Sequence, residues 1–138
     1  QKADESAHKA QIAVDRVRME LVDIGSEDDA ISPIAAFTDN TSIRYKTLNS
    51  DLDEGRTGSP YRTLQFSSGK LLLSIEGESQ PYTLIDEITT PILTKTLTAA
   101  DLDGDGKNEV KYITAGFKIS TQPDYTVRVY PRNLVPFP

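Results

Sequence analysis

Apolar residues at spacings of three and four mark the first stretch of the chain. Ala10, Ala13, Val14, Val17, Leu21 and Ile24 fall on one stripe, and Gln11, Asp15, Arg18 and Asp23 fall mostly away from it. That period predicts a single amphipathic helix over residues 3–24. Gly25 and Ser26 supply a stop signal, and the acidic loop Glu27-Asp28-Asp29 follows. From residue 31 the period changes to two. Ile43 and Tyr45 alternate with Arg44 and Lys46, and Leu64 and Phe66 with Thr63, Gln65 and Ser67. Ser68-Gly69 then reads as a tight hairpin turn into Leu71, Leu73 and Ile75. Leu84–Ile88 and Ile92–Leu97 are further strands, separated by Thr90-Pro91. The longest alternation comes late: Ile113, Ala115, Phe117 and Ile119 oppose Tyr112, Thr114, Lys118 and Ser120. Tyr125, Val127 and Val129 repeat it against Thr126, Arg128 and Tyr130, and Val135-Pro-Phe-Pro is expected to leave as a tail.

Consecutive strands joined by short connections imply antiparallel pairing, because each parallel crossover needs about a dozen residues or more. A sheet with one apolar face must be covered, and the only long amphipathic element available is the helix. The fold class expected is therefore α+β: a long N-terminal helix on one antiparallel sheet of about six to eight strands. Residues 49–60, NSDLDEGRTGSP, are the most loop-like stretch.

Composition narrows the chemistry. The 138 residues and 15.2 kDa fit one domain. A net charge of -6 removes the cationic excess that nucleic acid or anionic lipid binding requires. With no Cys there is no thiolate metal site, disulfide or Cys nucleophile, and with His8 as the one His no mechanism can use two imidazoles. No apolar run approaches the roughly 18–20 residues that span a bilayer.

One segment carries metal chemistry. Residues 101–109 read Asp-Leu-Asp-Gly-Asp-Gly-Lys-Asn-Glu. Carboxylates at alternate positions point to one side of a curving backbone, and Gly106 after the third permits the turn that brings a carbonyl inward. The expected ligands for Ca²⁺ are the side chains of Asp101, Asp103 and Asp105, the carbonyl of Lys107 and the carboxylate of Glu109. Oxygen donors without His or Cys favour Ca²⁺ over transition metals. The EF-hand pattern fails at its twelfth position, which is Tyr112, and no helix pair flanks the loop. The segment AADLDGDGKNEV instead resembles the calcium loops of FG-GAP-type β-propeller repeats, though a single copy excludes a propeller. The alternative is a solvated Asp/Gly turn.

Other polar groups read as surface. Asp51, Asp53 and Glu54 lack a third alternate acid and have Arg56 beside them, so they form a solvated loop rather than a second metal site. His8 lies near the exposed end of the helix. Ser67 and Ser68 are turn residues, with no base or elbow motif to activate them. Glu76 and Glu78 flank a hairpin turn, where acids are common, so they are a poor glycosidase pair. Tyr112, Tyr125 and Tyr130 suit sheet packing better than a sugar platform. No catalytic constellation emerges.

The stretch SIRYKTL (42–48) followed by YRTLQFSSGKLLLSIEG (61–77) resembles the strand pairs of minor pilins and of the J-type minor pseudopilin of type II secretion. YTLIDEIT (82–89) is similar to that family's "LLDNV" segment through Leu84, Ile85, Asp86, Glu87 and Ile88. TVRVYPRNL (126–134) is similar to its closing strand, through Val129, Arg132 and Asn133. The resemblance implies a pilin-like single domain over residues 1–138. Within it, residues 1–25 would be the C-terminal half of the pilin helix and residues 31–134 a β-rich head. It further implies an apolar half-helix before Gln1 that anchors the subunit in the inner membrane, with the head in the periplasm or on an extracellular filament. The partners implied are other pilin or pseudopilin subunits in the bacterial cell envelope, with no nucleic acid. The competing expectation is a secreted, calcium-dependent carbohydrate- or protein-binding β-domain.

Overall fold

The computed structural model describes residues 2–26, 32–48, 60–101, 104, 106–119, 124–133 and 135–137. The acidic triplet Glu27-Asp28-Asp29 and the Asp51/Asp53/Glu54 cluster lie outside the described residues. Among the described residues one α-helix, α1 (Lys2–Val22), is followed by β1 (Ile34–Thr38), β2 (Ser42–Tyr45), β3 (Arg62–Ser67), β4 (Lys70–Ile75), β5 (Tyr82–Ile85), β6 (Thr89–Leu97), β7 (Val110–Lys118) and β8 (Tyr125–Val129). All pairings are antiparallel, so the α+β class stands. No helix among the described residues is long and apolar enough to cross a membrane.

The strands divide between two sheets instead of forming one, in the orders β1-β2-β3-β4-β5 and β6-β7-β8. The break falls where the backbone turns left-handed: Glu87 has φ 56° and Thr90 has φ 51°. These two residues steer β6 off the β5 edge, and Leu93 instead exchanges hydrogen bonds with Asn40 in the β1–β2 turn. Thr90-Pro91 is thus not a separator. It sits inside β6 at a register shift between Thr89 and Ile92, a bulge at which Pro removes no ladder hydrogen bond.

α1 lies against β5, β7 and β8 and so bridges both sheets. Its expected stripe is buried: Ala10, Ala13, Val14, Val17, Leu21 and Ile24 join Ile43, Tyr45, Leu64, Leu73, Ile113 and Phe117 in one core. Fully burying each Val or Leu contributes about 1.5–3 kcal/mol, which is what holds the helix down.

The helix ends at Val22, two residues earlier than the pattern predicts, where the segments that follow β2 and β8 take the carbonyls of residues 22–24. Backbone N–H groups of Arg132 and Leu48 donate to Val22 and Asp23, and Asn133 Nδ2 donates to Ile24 at 3.1 Å. Gly25 then serves close approach rather than a left-handed cap. A Cβ there would meet the Leu48 side chain at 2.9 Å. The Val135-Pro-Phe-Pro segment does not leave the fold either. Val135 is fully buried, Pro136 bridges to Glu109, and Phe137 N–H donates to Asn108 at 3.0 Å. Two apolar side chains in four residues make return to the core more favourable than exposure.

Candidate metal loop

β6 and β7 are joined by residues 98–109, which contain the Asp/Gly segment. Asp101 organises its start. Its Oδ1 accepts from Gly104 N–H at 2.9 Å and its Oδ2 from Gly106 N–H at 2.6 Å. Both glycines have positive φ, 79° and 84°, with open space where a Cβ would lie. Backbone conformation, not crowding, therefore requires glycine at these positions.

The far end is set by Thr98 and Glu109. Thr98 N–H donates to the Glu109 carbonyl at 2.8 Å, and Glu109 N–H donates to Thr98 Oγ1 at 3.1 Å. Thr98 Oγ1 also lies 2.8 Å from the Ala100 carbonyl and 3.4 Å from Glu109 Oε2. Glu109 is only 1 % exposed, although it belongs to a loop. The all-oxygen donor set suits a hard cation such as Ca²⁺.

Of the five expected ligands, Asp101 and Glu109 stand at the two ends of the described loop and Lys107 is exposed between them. Asp103 and Asp105 lie outside the described residues. Among the described residues no three His, Asp or Glu side chains converge on a metal-sized position. Thr98, which hydrogen-bonds at both ends of Glu109, carried no signal in the sequence, being one of several threonines in TKTLT.

Tyr112, at the position where an EF-hand has its last carboxylate, belongs to the outer face of the three-stranded sheet. Its ring lies 5.4 Å from that of Tyr130, and the Arg128 guanidinium sits 4.3 Å from its centroid. A hydrogen bond with Thr96, then the charge of Arg128, hold the Tyr112 hydroxyl below its ordinary pKa. Tyr125 faces the other way and stacks on buried Phe117 at 6.0 Å. Ser67 and Ser68 occupy the β3–β4 turn, where φ of 51° at Ser68 and 75° at Gly69 fits a type I′ hairpin. Glu76 pairs with Arg44 at 3.0 Å, and Glu78 accepts from the Tyr82 hydroxyl.

Comparison of the chain with protein-family models, with curated proteins and with solved structures finds no match.

Proposed function

We propose that the chain is a non-catalytic structural subunit, the head of a minor pilin or pseudopilin that assembles with similar subunits into a type IV pilus or type II secretion pseudopilus. In this reading an apolar half-helix preceding Gln1 anchors it in the inner membrane, and Ca²⁺ in the 101–109 loop stiffens the start of β7. The observation that carries the reading is the arrangement at the helix end. α1 bridges both sheets, and two residues of the closing segment hold its exit: Arg132 N–H donates to the Val22 carbonyl and Asn133 Nδ2 to the Ile24 carbonyl just beyond the helix. A head built this way transmits the direction of a longer helix to a β-rich surface. Calcium is supported by the donor set of the loop and by the burial of Glu109.

Two measurements test the reading. The sequence encoded upstream of Gln1 should contain a prepilin cleavage site and about 20 apolar residues. An ordinary signal peptide there would favour the secreted calcium-dependent binding domain instead. Melting curves in Ca²⁺ and in EDTA test the loop. A hundredfold excess of cation over Kd stabilises by about 2.7 kcal/mol, and each kcal/mol shifts Tm by roughly 3–6 °C in a chain of this size. Asp103→Ala should abolish the response and Asp53→Ala should preserve it. Identical curves with no calorimetric heat would reduce the loop to a turn.

A further inference from the structure

We draw no further inference here: the strongest candidate, the outer face of the three-stranded sheet, where the Arg128 guanidinium lies over the Tyr112 ring beside Tyr130, carries none because nothing in the structure shows what covers it.

Discussion

Glu20 is the residue on which the inner polar contacts converge. It lies on the helix stripe between Val17 and Leu21, and its carboxylate is buried. Arg62 Nε and an Arg62 terminal nitrogen reach its two oxygens at 2.7 and 3.3 Å, the Tyr45 hydroxyl donates at 2.8 Å, and Arg16 approaches at 3.4 Å. One carboxylate thus ties α1 to β2 and β3. Removing it leaves a guanidinium and a phenol without their acceptor in a low-dielectric site. Glu20→Ala should cost about 3–5 kcal/mol in urea unfolding, and Glu20→Gln, which keeps an acceptor, should cost less. Tyr45 adds a pH dependence. Burial first, and the Glu20 carboxylate second, raise its hydroxyl well above the ordinary value of 10.0. The unfolded chain releases that proton near the ordinary value while the folded chain retains it. The Tyr45 contribution is therefore complete below about pH 10 and lost as pH rises above it. Unfolding midpoints between pH 8 and 11 should fall more steeply for the parent than for Tyr45→Phe, and equal slopes would refute the assignment. The network was not legible in the sequence, because an acid inside an apolar stripe reads as an interruption until its partners, 25 and 42 residues away, are known.

At the level of elements, what repeats locally was legible. The period of the helix and the alternation of β2, β4 and β7 gave the right buried faces, because both are set by neighbours within a turn or a pleat. The division into two sheets was not, since it depends on positive φ at Glu87 and Thr90, residue types with no special leaning toward that region. The helix end was misplaced for a related reason: its carbonyls are satisfied from residues 48, 132 and 133, so the stop is a tertiary event. Of the candidate loop, the turn at Gly106 was legible, but the role of Thr98 was not. Two substitutions test the helix. Leu21→Ala opens a cavity under α1 and should cost about 2–5 kcal/mol. Asn133→Ala removes one capping hydrogen bond and should cost about 1 kcal/mol. If Leu21→Ala were as mild as Asn133→Ala in the same denaturant series, the helix would not be held by its stripe.

For the whole molecule, the closing segment matters as much as the helix. Val110 N–H donates to Val135 at 2.8 Å, so residues 135–137 run beside the start of β7 and the end of the candidate metal loop. The Lys95 ammonium lies 4.5 Å from the ring centres of both Phe37 and Phe137, which meet edge to face at 6.3 Å. Asp39 completes this contact at 3.8 Å from Lys95. β1 of one sheet, β6 of the other and the closing segment are thus pinned at one point, although the two sheets share no strand. Buried Val135 alone is worth about 1.5–3 kcal/mol, and a cation over aromatic faces adds about 0.5–2 kcal/mol. A chain ending at Leu134 should therefore melt at least roughly 5–10 °C lower. Phe137→Ala should recover part of that difference, because it keeps Val135 and the backbone bonds. Lys95→Met, which retains the aliphatic stem, should cost less than Phe137→Ala. If the shortened chain melts with the parent, the segment is only a tail, and α1 and the Asn40–Leu93 hydrogen bonds join the sheets without it.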